Sequence, residues 1–303
     1  VNARSTLTYG CYLLGLVFVA YLLQQAWPEL RAVLSNASPG WLLFCTLTFF
    51  GHTLLACWML HQLLVTAGVD LGMRSTSRVY YLSQMTKYVP GVVWWFAMQA
   101  SLLKSENAVR KVVFANMRLM LLVSSSFILF SLALLALFVM PSGWAWSLLL
   151  VLLCPLALHL LNGFRFVHGL PLFIRRWLPN AMLEEIRPTV MSLASLFLQC
   201  LAQFALYMLT ILGMIFAFYD MAPLVALQLA AYQCLAWVAG VLSVIVPAGM
   251  GVREAVFLLL GSITDQYSSE QLQSLAVITR TLQIVQEALF SLVAVVLVRV
   301  RWL

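Results

Sequence analysis

The chain has 303 residues, of which 63% are hydrophobic and only 9% are charged, and its mean hydropathy is +0.98. Soluble domains carry about 25% charged residues, so this composition excludes a soluble fold and indicates one polytopic helical membrane domain over residues 1–303. The net charge of +7 comes from cations that lie mostly between apolar segments. We attribute it to membrane orientation and contact with anionic headgroups, and we expect no nucleic acid partner.

Six apolar segments are long enough to cross a membrane as helices of about 20 residues. The fold class is therefore predicted to be all-α, with about six full transmembrane helices. The first segment is long enough to be a true span and no clear cleavage site follows it, so we do not expect a cleaved signal peptide. In chain order the segments are 7–26, 41–66, 108–139, 145–163, 190–219 and 272–298.

Two further apolar segments, 78–103 and 223–262, are each interrupted by helix breakers beside a cation. The first contains the sequence KYVPG at 87–91, and the second contains PAGMGVRE at 247–254. A broken helix exposes backbone N–H and C=O groups that hydrocarbon cannot satisfy, so such breaks survive only where they are buried in protein or line a wet cavity. We predict that both segments are re-entrant hairpins.

The distribution of charge indicates how the segments thread through the membrane. If both hairpins leave on the side that they enter, twelve of the 17 Lys and Arg residues are cytoplasmic, one is outside and four lie at membrane depth. That bias follows the positive-inside rule and places both termini in the cytoplasm. The alternative, in which 223–246 is a full span, stays open because this segment is long enough, although it would put Arg299 and Arg301 outside.

On the preferred threading the two hairpins enter the membrane from opposite sides. Residues 1–163 and 190–303 then form an inverted repeat with broken helices that meet near the midplane, an arrangement that often builds the substrate site of secondary transporters. The segment 164–189 holds three prolines and six charged residues between the two halves. It predicts a cytoplasmic amphipathic linker that lies on the inner leaflet.

The first break is a candidate anion site. The helical face that carries Lys87 ends at the break, and the half-helix that follows would present free N–H groups with partial positive charge. Together they would attract an anion. The alternative is a lysine whose amine reaches to the inner membrane surface. The candidate residues of this motif are Gln84, Lys87, Tyr88, Pro90 and Gly91.

The second break is a candidate phosphate site. Gly249 and Gly251 permit close backbone approach and unusual dihedral angles. Arg253 follows in the first turn of the next half-helix, where the helix dipole disfavours a cation, so a partner must hold it. That partner would be Glu254, Glu287 or a bound phosphate, which a planar guanidinium binds through two oxygens. A structural Arg–Glu pair and a phosphate site are compatible readings.

Polar stripes on other spans extend the candidate cavity. Residues at helical spacing share one face of the last span and one face of the fifth, and Arg118 lies within the third. Four cations at membrane depth outnumber two carboxylates, so the predicted cavity is net positive and suits an anionic lipid headgroup. The stripes are Arg280, Gln283 and Glu287, and Gln199, Gln203, Tyr207 and Thr210.

Familiar catalytic and metal-binding motifs are missing from the sequence. It contains no P-loop, HExxH, GxSxG or cluster of metal ligands. Each of these motifs supplies specific chemistry at a fixed spacing. We therefore expect no ATPase, no metal, no cofactor and no enzymatic activity.

The two broken motifs resemble those of the transmembrane-region family of lysylphosphatidylglycerol synthases. Members carry a KYxPG-like segment followed by Trp, a PGGxGxRE-like segment and an Arg in the final span; the matches here are 87–91 with Trp94 or Trp95, 247–254, and Arg280. Ala248 departs from this pattern, in which Gly is common. The resemblance implies a lipid translocase, which in bifunctional members moves aminoacylated phosphatidylglycerol to the outer leaflet. We expect no aminoacyl-transferase domain in this chain.

We therefore expect a flippase of the bacterial inner membrane that moves an anionic phospholipid or lipid-linked headgroup through a cationic midplane cavity. The resemblance also implies a polyprenyl-phosphate-linked lipid as an alternative cargo, because stand-alone relatives are linked to glycolipid and polysaccharide assembly. Two other functions stay open: an enzyme that acts on a lipid phosphate with Glu254 or Glu287 as base, and a non-transporting subunit that docks a partner through 164–189. That partner would be a glycosyltransferase or a lipid-modifying enzyme.

Overall fold

A computed structural model describes residues 37–69, 71–88, 106–139, 143–162, 193–243, 246–263 and 267–297, with single positions between 17 and 35 and between 94 and 102. These residues form eight α-helices and no strand, which confirms the predicted all-α class. The helices are α1 (Pro39–Thr66), α2 (Met73–Thr86), α3 (Glu106–Val139), α4 (Gly143–Asn162), α5 (Leu193–Phe218), α6 (Pro223–Leu242), α7 (Val252–Ser262) and α8 (Ser269–Leu297).

Five helices in the described part of the chain are long and apolar enough to cross a membrane. They are α1, α5, α6, the Lys111–Phe138 part of α3 and the Ser269–Val293 part of α8. Helix α4 covers the predicted span at 145–163 and has 20 residues, whereas most of 7–26 lies outside the described residues. The predicted spans that the five helices confirm are 41–66, 108–139, 190–219 and 272–298.

Proline marks the start of two of the membrane-length helices. Pro39 opens α1 and Pro223 opens α6, at a position where the missing N–H would have no intrahelical partner and the fixed φ already suits a helix. At its other end α1 stops at Thr66, and Gly68 with φ +69° reverses the chain toward α2. Glycine enters this left-handed conformation without the steric cost that a Cβ brings.

The second irregular segment is broken where the sequence predicts. Helix α6 ends at Leu242, Pro247–Gly249 forms a single 3₁₀ turn, and α7 then runs for only 11 residues. The backbones of α6 and the turn lie very close together. A Cβ built on Gly249 would be 2.5 Å from the Gly240 Cα, which leaves no room for a side chain there. Helix α6 alone is long enough to cross a membrane, as the alternative threading requires, so the re-entrant depth of this hairpin stays a prediction.

The first irregular segment also ends its helix at the predicted motif. Helix α2 stops at Thr86, and residues 89–93, which include Pro90 and Gly91, lie outside the described part. Beyond them, two residues contact α2 again. Trp95 Nε1 donates to Ser83 Oγ at 2.9 Å, and Gln99 Nε2 donates to the same oxygen at 3.2 Å. The linker 164–189 and both termini lie outside the described residues, and the inverted repeat stays a prediction.

Small residues set the spacing between the helices that carry the site. Helix α5 packs along α1, where a Cβ on Gly213 would lie 2.8 Å from the Cys45 Cβ. Such close approach lets backbones pack tightly in a membrane domain, where lipid offers no hydrophobic drive for helix association. Helix α8 contacts both α2 and α7. It therefore touches an element of each broken segment.

Candidate functional site

A cavity of about 260 Å³ opens between α1, α2, α3, α5, α6 and α8, beside the second break. It is slightly smaller than typical ligand pockets, which span about 300–1,000 Å³, so it suits a polar headgroup rather than a whole lipid. Residues from both broken segments meet on its wall. The predicted site residues that line it are Gln84, Lys87, Gln203, Gly249, Arg253, Arg280 and Glu287.

Helix α8 holds the first break through Glu287. Lys87, the C-cap residue of α2, donates from Nζ to Glu287 Oε1 at 2.8 Å and to Gln84 Oε1 at 3.1 Å. The hydroxyl of Tyr88 donates to the other carboxylate oxygen of Glu287. The Lys87 amine therefore contacts a carboxylate that lies 200 positions away in the sequence.

Helix α8 also holds the second break, two turns earlier, through Arg280. The backbone there is left-handed at Ala248, Gly249 and Gly251, with φ of 48°, 67° and 81°. Arg280 Nη2 donates to the Ala248 carbonyl at 2.9 Å, and its Nε lies 3.7 Å from Glu254 Oε1. The other Glu254 oxygen accepts the N–H of Gly251 at 2.6 Å and so caps α7.

The aromatic ring of Tyr88 lies between two cations of the cavity. Lys87 Nζ is 5.4 Å from the ring centroid and Arg280 Cζ is 5.7 Å from it. Both distances allow a cation–π attraction, which is about 0.5–2 kcal/mol depending on desolvation. The ring thus links the Glu287 contacts to the Arg280 contacts, and one continuous network joins the two breaks.

Arg253 differs from the other two cations because it has no carboxylate partner. The residue is only 8% exposed, and its Nη2 donates to the Tyr207 hydroxyl at 2.9 Å. Within the described residues the ion pairs of this region are Lys87–Glu287 and Arg280–Glu254. The Arg253–Glu pair, one of the readings that the sequence left open, is therefore not formed among the described residues.

Gln283 completes the support of Arg253. Its Nε2 donates to the same Tyr207 oxygen at 2.8 Å, so a neutral hydroxyl accepts two hydrogen bonds where a carboxylate was expected. The wall carries Lys87, Arg253, Arg280 and Glu287, and Glu254 lies beside Arg280 off the wall. These charges leave one net positive charge, and Arg253 is the cation among them without an ion pair. A buried guanidinium without a counter-ion is costly, and a bound anion would remove that cost.

A glycine that the sequence analysis did not single out makes the Arg253 position possible. A Cβ built on Gly240 of α6 would lie 2.1 Å from the Arg253 Cγ and 2.6 Å from its Cδ. The arginine stem therefore crosses α6 directly over this glycine. The available signal was a lone glycine inside an apolar helix close to a break, which often marks close packing.

The rest of the cavity wall is uncharged. His52 of α1 contacts Gln203 of α5 twice, from Nδ1 to the backbone oxygen at 3.3 Å and from Nε2 to the side-chain Nε2 at 3.4 Å. The two contacts agree if His52 is neutral with its proton on Nδ1. Other uncharged groups on the wall are Tyr80, Tyr81, Trp95, Asn116 and Trp237.

Four predicted site residues in the described part do not line the cavity. Tyr88 contacts Glu287, and Glu254 contacts Arg280. Gly251 is exposed at the start of α7. Arg118 is buried in α3, but its neighbours Leu119 and Met120 line the cavity instead. Successive helical residues point about 100° apart, so a span that contributes to a cavity need not present its arginine there. Pro90 and Gly91 lie outside the described residues.

One known protein family matches nearly the whole chain. The family model described as the lysylphosphatidylglycerol synthase TM region matches residues 9–291. The match spans both broken segments and all the cavity residues named above. No curated protein matches the chain significantly.

Proposed function

This chain belongs to the lysylphosphatidylglycerol synthase transmembrane-region family, and from that premise we propose that it is a lipid translocase. In this proposal it moves an anionic phospholipid, or a lipid-linked phosphate, across the bacterial inner membrane. The phosphate enters the cavity while the acyl or prenyl tails stay in the bilayer. A membrane domain family of this kind is compatible with a lipid-related function.

The observation that carries the proposal is the Arg253 guanidinium on the cavity wall. The residue is 8% exposed, its guanidinium is held by the neutral Tyr207 hydroxyl, and both carboxylates of the region are engaged elsewhere. A planar guanidinium binds two phosphate oxygens in parallel. An entering phosphate would therefore gain a strong partner without first breaking an ion pair.

The same charges support transport rather than catalysis. Moving a phosphate through hydrocarbon is opposed by its desolvation, and cations fixed inside a small cavity lower that barrier. A hydrolase or transferase acting on the phosphate would need a free base, yet Glu287 accepts from Lys87 and Tyr88, and Glu254 is engaged by Gly251 and Arg280. In our proposal α8 ties the two broken segments together, through Glu287 on one and Arg280 on the other.

Arg253→Gln is expected to slow lipid translocation at least tenfold, because glutamine keeps a polar amide at this position but removes the unpaired charge. The measurement is dithionite quenching of an acyl-chain-labelled phosphatidylglycerol, whose headgroup is unmodified, in proteoliposomes that contain the purified protein. Arg74→Gln is the matched control, since it removes a cation from the exposed start of α2 and should translocate as fast as the wild type. Equal rates for wild-type and Arg253→Gln protein, at equal insertion, would contradict the proposal.

A further inference from the structure

We propose that the hydrocarbon tails of the transported lipid pass between α1 and α8, and that the ring of Phe290 closes this seam when no lipid is bound. The inference rests on the proposed function and names the tail-binding surface of the same site. A headgroup in the cavity stays attached to tails that remain in the bilayer, so one pair of helices must part to let the connecting atoms through. The contacts around Phe290 indicate that this pair is α1 and α8.

The ring of Phe290 lies between the cavity and the outer face of the helices. Phe290 of α8 and Phe49 of α1 both line the cavity, and their ring centroids are 5.9 Å apart. On another side the Phe290 ring stacks on Phe50, which is 39% exposed, with the two centroids 5.0 Å apart. One side chain therefore contacts both a cavity residue and a residue of the outer face, and its displacement would connect the cavity to the bilayer.

The polar contacts across this seam are neutral and long. Gln286 Nε2 donates to Thr46 Oγ1 at 3.3 Å and to Cys45 Sγ at 3.6 Å. No ion pair joins α1 to α8 in the described part of the chain, whereas α8 is tied to α2 by the pair of Glu287 with Lys87 at 2.8 Å. Breaking a buried ion pair costs more than losing neutral hydrogen bonds. Helix α8 therefore parts more easily from α1 than from α2.

The bilayer lowers the cost of opening the seam. Lipid chains are as apolar as the side chains of α1 and α8, so no hydrophobic drive holds the two helices together in a membrane. Tails that enter the seam replace the lost ring contacts with dispersion contacts of the same kind. Next to the seam, Leu47 and Leu54 of α1 and Val293 of α8 are exposed, so approaching tails meet apolar side chains on both helices.

Ring contacts connect this seam to the proposed phosphate partner. The centroids of Phe49 and His52 are 6.0 Å apart, and those of His52 and Tyr207 are 5.2 Å apart. All three residues line the cavity, and the Tyr207 hydroxyl accepts from Arg253. A lipid whose phosphate binds Arg253 would therefore extend along these rings and place its tails at Phe290.

The test joins α1 to α8 and measures translocation. Phe50→Cys combined with Phe290→Cys places two thiols at the seam, which a short bis-methanethiosulfonate reagent links and a reductant releases. We expect the linked protein to translocate acyl-chain-labelled phosphatidylglycerol at least tenfold more slowly than the same protein after reduction. Phe130→Cys combined with Phe197→Cys is the matched control, since these two rings lie 5.9 Å apart between α3 and α5 and neither residue lines the cavity. Linking that pair should leave the rate unchanged.

The outcomes separate this inference from the proposed function. Unchanged translocation by the protein linked between α1 and α8 would overturn the inference and leave the translocase proposal standing. A wild type that translocates no lipid would overturn the proposed function, and this inference with it.

Photolabelling of the bound lipid tests the seam without linking the helices. Photoreactive benzoylphenylalanine replaces Phe290 in the full chain, and the yield of lipid adduct in phosphatidylglycerol vesicles is measured by mass spectrometry. We expect Arg253→Gln to lower this yield at least fivefold, because the headgroup no longer holds the lipid in the seam. The same label in place of Leu198, an exposed residue of α5, should give a yield that does not depend on Arg253. Equal yields from the Phe290 position with and without Arg253 would overturn the inference, and this comparison decides it if the double-cysteine variant does not fold.

Discussion

Glu287→Gln is expected to lower the free energy of unfolding by about 3 kcal/mol. The substitution keeps an acceptor for the Tyr88 hydroxyl but removes the counter-ion of Lys87, whose side chain is 29% exposed. Breaking a buried ion pair by removing one partner costs about 3–5 kcal/mol because it leaves an uncompensated charge. Partial access to the cavity places this pair at the low end of that range. The measurement is denaturant or thermal unfolding of the purified protein in detergent.

A double variant separates the lost pair from a general loss of packing. Lys87→Met combined with Glu287→Gln removes both charges, and replacing a whole buried pair is often close to neutral. We expect the double variant to be more stable than Glu287→Gln alone, which would show a coupling energy between the two side chains. Additive losses would mean that Lys87 and Glu287 do not stabilise the link between α2 and α8.

Gly240→Ala is expected to abolish most translocation and to lower the free energy of unfolding by about 1–3 kcal/mol, the usual cost of overpacking. The added methyl group would lie 2.1 Å from the Arg253 Cγ. That carbon is near the fixed end of the side chain, so the arginine cannot swing aside and keep its hydrogen bond to Tyr207. The substitution therefore displaces the guanidinium without changing any charge.

Gly51→Ala is the matched control for this displacement. It makes the same chemical change inside α1, where the added methyl group would be 3.5 Å from Leu206, an ordinary contact. Unfolding and dithionite quenching measured on both variants should show a loss for Gly240→Ala only. Equal stability and equal translocation rates of the two variants would indicate that the close packing of Arg253 on Gly240 is not required for function.

The sequence predicted four of the membrane-length helices and the positions of both breaks, because both depend on local patterns. The length of the apolar segments predicted membrane-spanning helices at 41–66, 108–139, 190–219 and 272–298, and the structure has helices of membrane-spanning length there. Helix breakers beside cations located both breaks, and helical spacing put Arg280 and Glu287 on one face of α8. The structure brings residues from these separate motifs to one cavity.

The pairing of charges could not be predicted, because it depends on which helices become neighbours. Arg253 and Glu254 are adjacent in sequence, yet Glu254 caps its own helix and pairs with Arg280, while Arg253 crosses Gly240 to reach Tyr207. Consecutive residues on a helix point in different directions, so adjacency in sequence favours no ion pair between them. The position of the unpaired charge, on which the proposed function depends, emerged only from the fold.

The measurement that tests the central claim most directly is identification of the lipid that copurifies with the protein, by native mass spectrometry and lipid extraction. The claim is that the unpaired Arg253 charge holds an anionic headgroup in the cavity. We predict that an anionic lipid copurifies with the wild type and with Arg74→Gln, and that it is lost from Arg253→Gln. An identical anionic lipid bound equally to wild-type and Arg253→Gln protein would contradict the claim, and so would a folded wild type that binds none.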